Sequence, residues 1–319
     1  MSWIKKGLIL APNAEYDWLK TAAGNCYATL FENDTIELIV SGRDELNRSR
    51  LGRVLINANT YDILQIADEP LIPLGELGTY DYNGTAYPWL VKQGADEYLY
   101  YTGWTIGYHV AFINDLGLAI RKGGDSSFKK ISRATIMPRT DAEPFGTGSV
   151  CVLIENDVWK MWYTTFKRWG VAETDEKHYY HIRYAESSDG LNWVRNGKVC
   201  IDFNESDGEY VAAKPFVMKY KGLYLMWYSY RGPYYKIGFA VSENGIDWVR
   251  YNNIASLDAS ETGWDSEMVC YGFVVVHQDT LKMFYTGNGF GKSGLGLATM
   301  PLDNLDSILQ SLGYSFNHE

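Results

Sequence analysis

A closed ring of repeated four-stranded units, an all-β five-bladed β-propeller, is the fold class that three features of this sequence predict. A short aromatic run recurs as Trp159-Lys160-Met161-Trp162-Tyr163, Leu223-Tyr224-Leu225-Met226-Trp227-Tyr228 and Leu281-Lys282-Met283-Phe284-Tyr285. Glu97-Tyr98-Leu99-Tyr100-Tyr101 is a fourth copy and Ile36-Glu37-Leu38-Ile39-Val40 a degenerate fifth. Each is too short for a helix and is bounded by turn residues, the pattern of a strand. Tight-turn pairs such as Asp189-Gly190 and Asn244-Gly245 return in step with these runs and supply the positive φ of a hairpin. The composition agrees: of 319 residues 46% are hydrophobic and 15% aromatic, enough for a large core and biased toward strands.

The strands of each unit follow in order. The first is an apolar run: Cys26-Tyr27-Ala28-Thr29-Leu30, Pro88-Trp89-Leu90-Val91, Val150-Cys151-Val152-Leu153, Pro215-Phe216-Val217-Met218 and Phe273-Val274-Val275-Val276. Turn residues such as Asn156-Asp157 and Lys221-Gly222 lead into the aromatic second strand. A third strand follows at Ile182-Arg183-Tyr184-Ala185, Ile237-Gly238-Phe239-Ala240 and Leu295-Gly296-Leu297-Ala298. The fourth contains Asn192-Trp193-Val194 or Asp247-Trp248-Val249. Five units of roughly 50 to 65 residues suit propeller blades. The last unit has no fourth strand of its own, but Ser2-Trp3-Ile4-Lys5-Lys6-Gly7 mimics Asn192-Trp193-Val194-Arg195-Asn196-Gly197. An N-terminal strand is therefore expected to close the last blade and cover its edge. Leu302 to Leu312 reads as a short C-terminal helix, and residues 1–319 as one domain.

Charge and motif content exclude several functions. Lys and Arg number 29 against 39 Asp and Glu, a net charge of −10, which removes the basic excess a nucleic-acid partner requires. No segment approaches a membrane span, and the N-terminal apolar run is too short for a signal peptide, so no membrane partner and a cytoplasmic location are expected. Cys26, Cys151, Cys200 and Cys270 lack metal-type spacing and are expected as unpaired thiols. His109, His178, His181, His277 and His318 show no metal-ligand spacing either. No cofactor is called for. An acidic ring would offer calcium oxygen ligands, but no ligand pattern demands the ion. There is no phosphate-binding glycine loop before a helix and no Gly-x-Ser-x-Gly elbow. Nothing in the sequence sets an oligomeric state.

Strand order places the loops entering each first strand and those leaving each second strand on one face, around the axis. The entering loops hold Asp81, Glu143, Glu209, Asp265 and Glu267, so acids recur at equivalent entries in four units. The leaving loops hold Arg43, Asp44, Trp104, Trp169, Arg231 and Asn288. Trp264 precedes Asp265, Lys214 enters a first strand, and His178 sits in the extended loop from Lys167 to Tyr180. Carboxylates serve acid/base chemistry on a glycosidic oxygen, arginines hold hydroxyls or anionic groups, and aromatic faces cover a pyranose ring. The mixture predicts an acid-lined funnel for a carbohydrate.

The succession Arg43-Asp44, Asp81-Tyr82-Asn83-Gly84, Tyr100-Tyr101-Thr102-Gly103-Trp104, Met161-Trp162-Tyr163, Ala185-Glu186-Ser187-Ser188-Asp189-Gly190-Leu191-Asn192-Trp193 and Trp264-Asp265-Ser266-Glu267 resembles the five-bladed β-propeller glycosidase superfamily. That group spans arabinanases and β-xylosidases, the invertase and levansucrase group, and mannoside phosphorylases. The resemblance implies a base, a pKa-tuning helper acid and a general acid from the first three blades. It puts Asp81 at the helper position and Glu143 at the general acid. The first blade departs from the pattern, because Asp17 lies far upstream and Asn25 is not a base. The Asn-Asp-Pro and Glu-Cys signatures of the invertase group are also absent. In phosphorylases a single aspartate protonates the bridge while phosphate attacks, and Arg43, Lys214 and Arg231 are the basic residues available to hold it.

The leading expectation is a glycoside hydrolase. Glu143 acts as general acid, Asp81 tunes it, and Glu209, Asp265 or Glu267 serves as base, nucleophile or hydroxyl anchor. Arg43, Asp44, Trp104, Trp169, His178, Lys214, Arg231, Trp264 and Asn288 contact substrate. The alternatives are a non-hydrolytic carbohydrate-binding propeller in polysaccharide metabolism and a glycoside phosphorylase.

Overall fold

The structure, a computed structural model, describes residues 3–32, 34–170 and 177–315. His318 and the middle of the loop after Lys167 lie outside the described residues. Strands and turns dominate, and the strand order is the repeating one that the sequence predicts.

Strand β1 (Ile4–Leu10) is followed by β2 (Ala22–Phe31), β3 (Thr35–Arg43), β4 (Ser49–Asn57) and β5 (Ile63–Ile66), joined in order by antiparallel pairing. The next unit is β6 (Gly84–Gln93), β7 (Asp96–Ile106), β8 (Phe112–Arg121) and β9 (Lys129–Lys130). Then come β10 (Thr147–Glu155), β11 (Val158–Trp169), β12 (His178–Ser187) and β13 (Val194–Ile201). They are followed by β14 (Val211–Tyr220), β15 (Leu223–Arg231), β16 (Tyr235–Ser242) and β17 (Val249–Arg250). The last unit has β18 (Cys270–His277), β19 (Thr280–Thr286), the single turn α1 (Asn288–Gly291) and β20 (Leu295–Pro301). It is completed by β1, which pairs antiparallel with β20 from Ile4 opposite Thr299 to Leu10 opposite Leu295. The N-terminal strand thus covers the edge that β20 would otherwise expose. Helix α2 (Leu302–Ser311) buries Leu305, Ile308 and Leu309.

First strands touch one another in the cyclic order β2, β6, β10, β14, β18 and back to β2. Their aromatic side chains fill the space between them. Phe216 and Phe273 meet edge-on at 4.7 Å, and Trp89 lies 5.4 Å from Phe273 and 5.9 Å from Phe216. The second-strand aromatics Tyr100, Trp162, Trp227 and Tyr285 are fully buried, each removing about 150–250 Å² of surface from water.

Turns between third and fourth strands are bolted to the preceding unit. Asp189 accepts the backbone N–H groups of Leu191 and Asn192 at 2.8 Å, while the Tyr100 hydroxyl donates to Gly190 O at 2.6 Å. Trp162 Nε1 donates to Gly245 O at 2.7 Å in the next unit. The Asp-Gly and Asn-Gly turns are structural, with φ of 72° at Gly190 and 77° at Gly245. All four cysteines are buried and unpaired.

Candidate functional site

Every first strand begins with an irregularity. Pairing slips between Ala23 and Cys26, Ala86 and Trp89, Thr147 and Val150, Ala213 and Phe216, and Cys270 and Phe273. An extra residue in one strand re-aims a side chain out of the ladder. Here it turns Asn25, Tyr87, Ser149, Lys214 and Tyr271 toward one shared cavity of about 370 Å³, a size typical of small-molecule sites. Tyr87, Lys214 and Tyr271 take positive φ, 51°, 50° and 61°. Their backbone N–H groups, lost to the ladder, find side-chain oxygens instead: Tyr87 donates to Asn25 Oδ1 at 3.0 Å, Lys214 to Thr164 Oγ1 at 3.0 Å, and Tyr271 to Ser229 Oγ at 2.7 Å. Ser149 and Thr164 share a further hydroxyl contact at 3.0 Å. The ring is therefore fixed by hydrogen bonds before any ligand arrives.

The wall comes from second and third strands and their exits. Arg43 ends β3, Trp104 lies in β7, Phe166 in β11, His178 opens β12, Arg231 ends β15, and Phe290 stands in α1; all line the cavity. Arg43 donates Nη1 to Asn47 Oδ1 at 2.7 Å and lies over the Trp104 ring at 5.8 Å. Arg231 lies over the rings of Tyr210 and Tyr235 at 5.3 and 5.1 Å, and among the described residues its buried Nε has no acceptor. Lys214 also lines the cavity; its buried ammonium lies 5.8 Å from the Trp89 ring and 5.9 Å from Phe273, without a hydrogen-bond acceptor among the described residues. Burial pulls its pKa down to about 8, against a partly opposing effect of the Cys26 and Cys151 thiols. Burial, and then the nearby Arg231 charge, lower His178 to about 4, so its imidazole is neutral at pH 7.

Among the described residues no carboxylate lines this cavity. That corrects the expected acid-lined funnel. The entry acids point into the units, where each joins a repeated structural bond. Asp81 accepts the Tyr101 hydroxyl at 3.0 Å and pairs with Lys130 at 2.5 Å. Glu143 accepts the Tyr163 hydroxyl at 2.6 Å and pairs with Arg183 at 3.0 Å and Arg195 at 2.7 Å. Asp265 accepts the Tyr285 hydroxyl at 2.9 Å and pairs with Lys5 at 2.7 Å. Burial alone would raise Asp265; Lys5, Ser260 and Tyr285 outweigh it and hold the carboxyl below its ordinary value. Glu209 is gripped by Arg250 Nη2 at 2.8 and 2.7 Å, and Arg250 Nε donates to the Tyr228 hydroxyl at 2.7 Å. The recurrence that suggested catalysis is a recurring tie between the entry turn, the second strand and the fourth. In the first unit the buried pair Trp18-Leu19 occupies the corresponding entry, with Trp18 against Gly52 as Trp264 lies against Gly296. Glu267 is exposed and lends only its backbone N–H, to Asn288 Oδ1 at 2.8 Å.

Of the residues expected to contact substrate, Arg43, Trp104, His178, Lys214 and Arg231 come together at the cavity. The others do not line it. Asp44 closes its own turn, accepting from the N–H groups of Leu46 and Arg48. Trp169 stacks on Phe166 at 5.1 Å, Trp264 packs 5.2 Å from Tyr285, and Asn288 holds the Glu267 backbone. The sequence reading missed Asn25 as a positive contributor and missed Tyr87, Ser149 and Tyr271 altogether. A signal existed: Pro88 and Pro215 follow Tyr87 and Lys214, and proline inside a buried strand marks a bulge. Among the described residues no three His, Cys, Asp or Glu side chains gather to hold a metal.

No family model matches the sequence. Solved structures share the fold at low identity. A glycoside hydrolase superposes with a TM-score of 0.70 at 19% identity, covering 93% of this chain and 91% of that one. A thermostable family-43 glycoside hydrolase gives 0.68 at 18%, with 92% of each chain covered. A structure from the GH130 family of mannoside phosphorylases, which contains glycoside hydrolases that target β-1,2 mannosidic linkages in Candida mannan, gives 0.68 at 16% and covers 94% of each chain. The fold is that of the propeller glycoside hydrolases and phosphorylases. Relatives by sequence are nearer: the uncharacterized protein Rv1502 of Mycobacterium tuberculosis H37Rv is 35% identical over 301 residues, 94% of this chain and 99% of that one. The uncharacterized protein MT1551 of the CDC 1551 strain matches to the same extent. With that identity along nearly the whole of both sequences, the chain belongs to the family of Rv1502.

Proposed function

We propose that this chain is a carbohydrate-binding propeller whose five four-stranded units are its blades, and that the cavity over its axis holds a saccharide without cleaving it by a carboxylate pair. One observation carries the reading. The cavity presents Trp104, Phe112, Phe166, Tyr87 and Tyr271 beside the amides of Asn25, Asn47 and Asn114, and among the described residues no carboxylate. Aromatic faces cover the C–H face of a sugar ring, and amides and hydroxyls exchange hydrogen bonds with its hydroxyl groups. Hydrolysis by the usual route needs two carboxylates about 5–9.5 Å apart across the scissile bond. The buried entry acids Asp81, Glu143, Glu209 and Asp265 are instead paired with Lys130, Arg195, Arg250 and Lys5. A glycan array followed by prolonged incubation tests the reading. Saturable binding with no new reducing end supports it, and clean cleavage of a bound glycan overturns it.

The fold shared with glycoside hydrolases and phosphorylases favours a second reading, turnover at this cavity. It predicts release of a cleaved product from a bound glycan, dependent on inorganic phosphate if the reaction is phosphorolysis.

A further inference from the structure

Among the described residues the cations of the cavity have no acid to answer them. Elsewhere most arginines pair with carboxylates, as Arg53 does with Glu37, Arg121 with Glu97, Arg195 with Glu143 and Arg250 with Glu209, Arg50 being an exception whose buried Nε also lacks an acceptor among the described residues. In a chain of net charge −10 such pairing is the ordinary fate of a guanidinium. Arg43, Lys214 and Arg231 break the pattern together, lining one cavity. No salt bridge reaches any of them among the described residues, and two of their donors, Arg231 Nε and Lys214 Nζ, are buried with nothing to donate to.

A buried donor left unpaired is costly, more so when it is charged, so two such donors on residues that line one cavity point to an absent acceptor. The groups that would compete for them are elsewhere. Arg231 is flanked by the rings of Tyr210 and Tyr235, which occupy its π surface and leave its in-plane Nε–H unspent among the described residues. Arg43 spends Nη1 on Asn47 and rests on Trp104. The neutral His178 beside Arg231 adds no competing charge. A planar or tetrahedral oxyanion matches a guanidinium fork plus an ammonium.

Resting on the reading of the cavity as a saccharide site, we infer that its ligand is an acidic saccharide, bearing a carboxylate or a phosphate that sits between Arg231 and Lys214 while Trp104 and the ring tyrosines cover the sugar. The anion belongs to the sugar itself, because the same cavity supplies aromatic and amide groups that a bare ion would not use.

Calorimetric titration of the full chain with matched probes tests this: trigalacturonate against galactotriose, glucose 6-phosphate against glucose, and inorganic phosphate alone. The expected result is that one or both acidic sugars bind at least 10-fold more tightly than their neutral partners, the uronate and phosphate arms identifying the oxyanion. Arg231→Gln should then lower affinity for the acidic probe at least 10-fold, and Arg231→Lys should recover only part of it, with melting temperatures measured for both variants to establish folding. Should galactotriose or glucose bind as tightly as its acidic counterpart, and Arg231→Gln leave that binding unchanged, the acidic ligand is overturned and the saccharide site stands. If inorganic phosphate binds but no sugar does, the saccharide site itself is overturned. Absence of binding by every probe overturns both.

Discussion

The Tyr163 hydroxyl donates to Glu143 at 2.6 Å inside a unit, not at the cavity. Glu143 also neutralises Arg183 and Arg195, and all of its oxygens are spent on these partners. Glu143→Gln should therefore act on stability. Removing one member of a buried ion pair costs about 3–5 kcal/mol, and urea denaturation should show a loss in that range, with saccharide affinity unchanged once the variant is folded. A fully stable variant that had lost turnover on a glycan would return Glu143 to a catalytic role.

Trp18 and Gly52 give a second prediction. A Cβ built at Gly52 would stand 2.2 Å from Trp18 Cε2, and the indole is fully buried with Nε1 donating to Ala67 O at 2.8 Å. Gly52→Ala cannot be absorbed by a flexible side-chain end, so the indole must shift. Overpacking of this kind typically costs about 1–3 kcal/mol. Chemical denaturation should find that loss, together with a red-shifted tryptophan emission. An unchanged midpoint and spectrum would show that the first unit tolerates the methyl group.

His178 predicts a pH dependence. Its folded pKa is about 4 against 6.5 for the free side chain, because burial and then Arg231 disfavour the imidazolium. Between those values the unfolded chain binds a proton that the folded chain does not, so stability rises with pH from about 4 to 6.5 and the contribution is lost on acidification. NMR of the imidazole resonances should show no titration near pH 6.5. His178→Asn should flatten the stability profile across the same window, and an imidazole titrating near 6.5 would contradict the buried, cation-facing placement.

Much of the architecture was legible because strand periodicity and turn chemistry are local. The aromatic second strands, the Asp189-Gly190 and Asn244-Gly245 turns, and the pairing of β1 with β20 all follow from short segments that resemble one another. The cavity was half legible. Arg43, Trp104, His178, Lys214 and Arg231 were found because their strands begin or end on the correct face. The acids were misread because a repeat locates a residue along the strand but not the direction of its side chain. Asp81 and Tyr87 enter the same strand, yet Asp81 turns inward to Tyr101 and Lys130 while the bulge turns Tyr87 to the axis. Only the partners on the second and fourth strands, distant in sequence, decide between the two.

Lys214 carries the last prediction, because its position sets stability against binding. The ammonium is buried without a hydrogen-bond acceptor among the described residues, and burial lowers its pKa from 10.5 to about 8. Below pH 8 the folded chain holds a charge in a site that disfavours it, at a cost of about 3 kcal/mol from the shift. From about 8 to 10.5 the unfolded chain binds the proton and the folded chain does not, so stability climbs with pH over that interval. Lys214→Met keeps the length and the apolar stem and removes the charge. It should be more stable than the parent chain at pH 7 by about 3 kcal/mol, with the difference shrinking between pH 8 and 10.5. A group retained at that cost is one that a ligand uses, so the same variant should lose affinity for acidic saccharides at pH 7. Denaturation curves at pH 7 and 10, paired with titration of the acidic probe, measure both sides; a methionine variant that is less stable at pH 7 would show that the ammonium is satisfied in the folded chain.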